Sequence, residues 1–185
     1  DSIYVQAAIT TVSLIAASVY YAFRLAENAK AETDNLLRNI LPDPIVERLK
    51  ARPDEPIADQ FSEASVLFAD ISGFVALARA LGAAATVALL NEIVTAFDAL
   101  AKQHGVEKIK TIGDAYMVAS GVPEPRDDHL QRLVRMALDM HQTVARIARE
   151  REVALAMRIG LASGPIMAGG IGQQKFTYDV WGDAV

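Results

Sequence analysis

The sequence predicts an α+β domain, an antiparallel-containing sheet covered by helices on one side, set behind an apolar N-terminal segment and a helical connector. Three observations carry this. Two β-rich runs, Val106 to Ile112 and Ala115 to Ser120, flank Gly113-Asp114, the composition of a tight hairpin. Val66-Leu67-Phe68-Ala69 is a continuous apolar run suited to a strand buried on both faces, and it ends at Asp70 just where a helix should begin. The predicted order of strand, helices, hairpin, helix, strand, strand contains no internal repeat.

At the N-terminus, Ile3 to Phe23 carries no charged residue over 21 positions, enough at about 1.5 Å per residue to cross a bilayer core. Tyr4, Tyr20 and Tyr21 sit near its ends as interfacial aromatics do. Arg24 and Lys30 follow, which by the positive-inside tendency places the remainder in the cytoplasm. A signal peptide needs its basic residues on the other side. Residues 1–23 are therefore expected to be a transmembrane helix at the cell membrane, the lipid bilayer being a partner through Ile3 to Phe23. Its small and hydroxyl residues suit packing in a bundle.

Residues 24–56 read as a helical signalling linker. Ala26, Ala29, Thr33, Leu36 and Ile40 alternate three and four apart, the spacing of a short coiled-coil seam. Leu41-Pro42-Asp43-Pro44 should break that helix, and Ile45 to Lys50 adds an amphipathic turn. Residues 57–185 form the expected globular domain. Phe61 to Asp70 is its first strand, Gly73 to Leu81 and Ala84 to His104 are helices separated at Gly82, and a third helix, preceded by Asp127 and Asp128, runs to about Glu150. Ala156 to Ala162 and Pro165 to Gly170 read as two strands around Ser163-Gly164, with a further short strand over Lys175 to Trp181. The arginines on the third helix read as a solvated face.

The formal net charge of −5 offers no basic surplus for phosphate backbones, so no nucleic acid is expected as partner. The absence of cysteine excludes disulfides and thiolate metal sites. The chain starts without methionine and stops inside what reads as structured sequence, so it is expected to be part of a longer protein.

Two strand-end aspartates, Asp70 and Asp114, are the sharpest chemical pair. Mg²⁺ takes one or two carboxylates together with substrate phosphates and water, so such a pair could hold hard cations beside a nucleotide. Ile71-Ser72-Gly73-Phe74 would present backbone N–H groups at a helix N-terminus, where phosphate is favoured. Taken singly, Asp70 could be only a helix cap and Asp114 only a turn residue.

Four ordered motifs, FADISGF, KIKTIGDAYM, RIGLASGPIMAGGIG and YDVWGDAV, resemble the catalytic domain of class III nucleotidyl cyclases over roughly Phe61 to Val185. The Leu-Pro connector after a membrane helix is similar to that of bacterial membrane-anchored members. The resemblance implies a ferredoxin-like βαββαβ fold and the conversion of ATP to 3′,5′-cyclic AMP and pyrophosphate in intracellular signalling. It implies two Mg²⁺ or Mn²⁺ ions per site on Asp70, Ile71 and Asp114, with Asp70 and Asp114 catalytic and Ile71, Ser72, Gly73 and Phe74 at the triphosphate. Lys110 matches the family's contact to adenine N1 and Asp179 its acceptor for the adenine amino group. A donor with an acceptor fits adenine, whereas guanine presents the reverse pattern, so ATP is expected over GTP. Because the family composes its site from two domains, one chain carrying all four residues implies a homodimer through the catalytic domain and linker.

No residue stands out as a dedicated base. His104, His129 and His141 lie outside the motifs. The family's transition-state asparagine and arginine normally follow YDVWGDAV, so a chain ending at Val185 is expected to be weakly active or inactive. The alternatives are a catalytically silent dimerisation or relay module and, disfavoured by Lys110 and Asp179, a guanylate cyclase.

Overall fold

The computed structural model describes residues 2–172 and 176–185. The chain forms two units, Asp1–Glu47 and Arg48–Val185. Helix α1, Ser2–Arg38, continues without a break past Phe23 into the connector. Its hydroxyls bond back to carbonyls one turn earlier: Thr10 to Gln6 at 3.1 Å, Ser18 to Leu14 at 2.8 Å and Thr33 to Ala29 at 2.9 Å. The helix ends before Pro42, as the Leu-Pro pair dictates, and α2, Asp43–Ala51, follows. Arg38 bridges the turn, reaching Asp43 and Glu47 at 2.5 Å each.

The second unit is built on five strands in the order β2-β3-β1-β4-β5, every neighbouring pair antiparallel. They are β1, Ala58–Ile71, then β2, Glu107–Ile112, β3, Ala115–Ser120, β4, Met157–Ile171, and β5, Thr177–Trp181. Helices α3, Phe74–Leu81, and α4, Ala83–His104, lie between β1 and β2, and α5, His129–Arg151, between β3 and β4. The α+β order and the hairpin stand as expected.

One strand assignment does not. The runs on either side of Ser163-Gly164 are a single strand, because Ser163 and Gly164 stay paired with Ser65 and Ala64 and the chain never turns there. The irregularity lies in the partner, between Phe61 and Ala64. The expected strand at Lys175 begins in the described residues at Thr177, Lys175 itself lying outside them.

Alternation sorts β1 into two faces. Leu67, Ala69 and Ile71, with Tyr116 and Val118 of β3, pack against Leu89, Ile93 and Phe97 of α4 and Leu133, Met136, Met140 and Ile147 of α5. Helix α4 has the length and apolar composition to cross a membrane, yet its stripe of Leu89, Ile93 and Phe97 belongs to this core. Its last turn closes on Gly105, in the left-handed region at φ 62°, with the N–H of Gly105 donating to the carbonyls of Ala101 and Lys102. Arg132 on α5 clasps the same corner, donating to the His104 carbonyl at 2.7 Å and to Asp128 at 2.8 Å. Chain direction into β2 is thereby set.

Candidate active site

The carboxylates read from the sequence converge at one end of the sheet. Asp70 is the penultimate residue of β1 and Asp114 occupies the two-residue loop between β2 and β3. Gly113, at φ 63°, takes the left-handed conformation at the first loop position, which lets Ile112 pair directly with Ala115. The Asp114 carboxylate accepts the backbone N–H of Ile71 at 3.1 Å, tying the hairpin tip to the end of β1. Asp114 is therefore more than a turn residue. Nor does Asp70 cap α3: the cap position is Gly73, at φ 72°, which supplies no side-chain bond to the first turn. Phe74 opens that helix, and Ser72 is held by its N–H to the Ala156 carbonyl at 2.7 Å.

A residue without an assigned role in the sequence reading completes this corner. Arg158 stands opposite Asp70 in the β1–β4 register and grips it bidentately, Nε to Oδ1 at 2.8 Å and Nη2 to Oδ2 at 2.9 Å. Its guanidinium is held further above its ordinary pKa, chiefly by the Asp70 hydrogen bonds and secondarily by the charges of Asp70 and Asp114. Both carboxylates thus act on one cationic position. The only signal in the sequence was an arginine heading a largely apolar run, and such a residue ordinarily reads as solvated.

Lys110 and Asp179 are joined to each other, Nζ to Oδ2 at 2.5 Å. They come from β2 and β5, the outermost strands of the sheet, so the ion pair spans its two edges. Asp179 is largely buried and turns its other oxygen to the N–H of Val180 at 2.9 Å, while Lys110 is about one-third exposed. A donor and an acceptor are thereby presented side by side. Two of the histidines outside the motifs make structural contacts: His104 pairs with Asp139 at 2.7 Å, and His129 with the buried Ser65 hydroxyl at 2.7 Å.

Among the described residues no cluster of three or more His, Cys, Asp or Glu side chains could hold a metal. Two convergent carboxylates, one holding a guanidinium and the other a backbone N–H, nevertheless fit a hard cation whose remaining ligands are phosphate and water.

An antiparallel sheet backed by helices, with paired strand-end carboxylates and a lysine–aspartate pair, defines a nucleotidyl cyclase domain, and the chain belongs to that family. The model of the adenylate and guanylate cyclase catalytic domain matches residues 57–185. A Mycobacterium tuberculosis protein named adenylate cyclase is 47% identical over 187 aligned positions, covering 96% of this chain and 42% of that protein. The chain thus spans less than half the length of this relative. The catalytic core of a rhodopsin–guanylyl cyclase with converted specificity, solved with ATPαS, superposes with a TM-score of 0.65 at 36% identity, covering 69% of each chain. A non-canonical dimeric guanylyl cyclase domain from the aquatic fungus Blastocladiella emersonii gives a TM-score of 0.66 at 32% identity, covering 71% of this chain and 73% of the other.

Proposed function

We propose that the protein is a membrane-anchored adenylate cyclase converting ATP to 3′,5′-cyclic AMP and pyrophosphate. The observation that carries this is the presence in one chain of an acidic corner, Asp70, Asp114 and Arg158, and of a donor–acceptor pair, Lys110 and Asp179, with the pattern that fits adenine. The extent and naming of the mycobacterial relative support the same reading.

In the reaction the ribose 3′-oxygen loses its proton to solvent and bonds to the α-phosphorus. The α-phosphorus–oxygen bond to the leaving group breaks, and pyrophosphate departs with that electron pair. Two Mg²⁺ or Mn²⁺ ions held by Asp70, Asp114 and the backbone of Ile71 would supply hydroxyl acidity and neutralise phosphate charge. Arg158, released from Asp70, has the planar fork that fits phosphate oxygens. The backbone of Ile71, Ser72, Gly73 and Phe74 lines the approach to α3, whose first-turn N–H groups favour an anion. Lys110 donates to adenine N1 and Asp179 accepts from its amino group. Base and phosphates are read by opposite halves of two copies, so the functional unit is a homodimer.

Residues 3–23 would cross the membrane, with the cyclase unit on the cytoplasmic side. Their described apolar side chains are exposed, Val12 by 65% and Leu14 by 68%, and the hydroxyls of Thr10 and Ser18 are satisfied within the helix, as hydrocarbon requires. Residues 24–56 would relay signals from the membrane segment, and 57–185 would form the catalytic domain. Extraction of membranes with alkaline carbonate tests the anchor: release of the protein into the supernatant argues against it.

The activity is tested by assaying the purified protein for cyclic nucleotide from ATP and GTP with Mn²⁺. Cyclic AMP formation, abolished by Asp70→Ala and redirected towards GTP by Lys110→Glu with Asp179→Cys, is the expected result. A folded dimer that forms neither product leaves the silent relay module as the better description.

A further inference from the structure

Strand β2 holds one residue more than its ladder can use. Glu107 pairs with Ala119 and Ile112 with Ala115, so six residues face five. Both ends are fixed, one by the two-residue loop at Gly113-Asp114 and the other by the α4 corner, where Val106 donates to the Ala101 carbonyl at 3.0 Å. The surplus is absorbed between Lys108, opposite Val118, and Lys110, opposite Met117. In a regular strand residues two apart share a face. Here the bulge separates them.

Lys108 points to the helix side, where its Nζ reaches Asp98 on α4 at 2.7 Å and lies 5.2 Å from the Tyr116 ring centroid. Lys110 reaches Asp179 instead. The same Asp98 carboxylate accepts the Tyr116 hydroxyl at 2.6 Å, and Tyr116 is the register partner of Thr111. One side chain therefore grips both flanks of the bulge, Lys108 before it and the partner of Thr111 after it. The Phe97 ring steadies Tyr116 edge-on, with centroids 5.4 Å apart at 71°.

We propose that Asp98 is a positioning residue for base selection: by clamping Lys108 and Tyr116 it fixes where the β2 bulge falls, and so aims Lys110 at the base. This rests on the adenine-reading role of Lys110 given above. Without the clamp the surplus residue can migrate along β2. When it falls at Lys110, the ammonium leaves the position opposite Met117, and adenine loses its N1 donor. Asp98 itself touches no substrate.

The test compares the wild-type full-length protein with Asp98→Ala, Asp98→Asn and Tyr116→Phe. It measures kcat and KM for ATP and GTP, equilibrium binding of both nucleotides, and amide exchange at Ile109 and Lys110. For Asp98→Ala the KM for ATP should rise about tenfold and the preference for ATP over GTP fall by a similar factor, as loss of one charge-assisted hydrogen bond implies. The kcat for ATP should stay within about threefold, since the phosphate corner is untouched. Amide exchange at 109–110 should accelerate by more than at the other core amides, which will follow the loss of about 1–3 kcal/mol of global stability that comes with removing the Tyr116 acceptor. Asp98→Asn, which can still accept from both partners, should recover most of the selectivity, and Tyr116→Phe should fall between.

A merely structural role for Asp98 would lower turnover of both nucleotides together and leave their ratio unchanged. A folded Asp98→Ala variant with unaltered base preference and unaltered exchange overturns the inference. If the wild-type protein makes no cyclic nucleotide, the cyclase reading falls. The binding ratio and exchange then decide the positioning role, and equal values in wild type and variant overturn it.

Discussion

Two buried tyrosines have a measurable consequence. The hydroxyls of Tyr116 and Tyr178 are pushed above the ordinary tyrosine range, first by burial and then by nearby acids, Asp98 for Tyr116 and Asp59 for Tyr178. A raised folded-state pKa contributes stability that is complete below about pH 10 and is lost as pH climbs beyond it. Thermal midpoints of the wild type should therefore drop steeply above pH 10, and each Phe variant should flatten part of that fall. At neutral pH the two variants should part company. The Tyr178 hydroxyl has no hydrogen-bond partner among the described residues, so Tyr178→Phe should match or exceed the wild-type midpoint. Tyr116→Phe, losing a bond to a charged acceptor, should cost about 1–3 kcal/mol in denaturant titrations. Asp70 and Asp114 stood out in the sequence only through the motifs around them, since taken singly each could be only a cap or turn residue. Arg158 did not stand out, because its meaning depends on a β1–β4 register joining residues 88 apart in sequence. Asp98 was hidden for the same reason, since a half-exposed acid on a helix carries no signal until the facing strand is known.

At the level of elements, the hairpin and the helices were legible from turn chemistry and apolar spacing, whereas the continuity of β4 was not. Ser163-Gly164 has the composition of a turn, and only pairing with Ser65 and Ala64 keeps it extended. Further along β4, Gly169 shows how tightly the strand is placed. A β-carbon there would lie 2.5 Å from the Ile57 carbonyl oxygen, a backbone atom that cannot swing aside. Gly169→Ala should destabilise the fold by about 1–3 kcal/mol, as overpacking does. Because Gly169 faces Asp179 in the register, the same change should weaken ATP binding in whatever fraction remains folded. Chemical denaturation with parallel nucleotide titration checks both, and full stability would mean that β1 and β4 can part locally at low cost.

For the molecule as a whole, the proposed homodimer with sites composed of two halves predicts complementation. Asp70→Ala damages the phosphate half, and Lys110→Ala the base half. Each homodimer should be inactive, yet a random mixture should recover about a quarter of wild-type activity, half the dimers being mixed with one intact site of two. Recovery should require subunit exchange, visible as a lag that shortens on dilution and reconcentration. No recovery from a mixture shown to exchange would place both halves of the site in one copy. The proposed division comes from the motifs, since composition and periodicity say nothing of which residues share a site; the structure shows Asp70 bound to Arg158 and Lys110 bound to Asp179.

The bond between Lys110 and Asp179 also bears on colloidal behaviour. An outermost strand with open N–H and carbonyl groups invites foreign strands, and a charge placed on it keeps them away. In this sheet the two outermost strands are held near each other by the same pair that would select the base. Exchanging it for glutamate and cysteine to favour guanine reverses the charge on one rim and strips the other, β5, of its acid. Light scattering of that double variant over hours at 37 °C should show growth in particle size that the wild-type protein lacks. A charged residue restored elsewhere on the rim of β5 should suppress it without returning the preference for ATP.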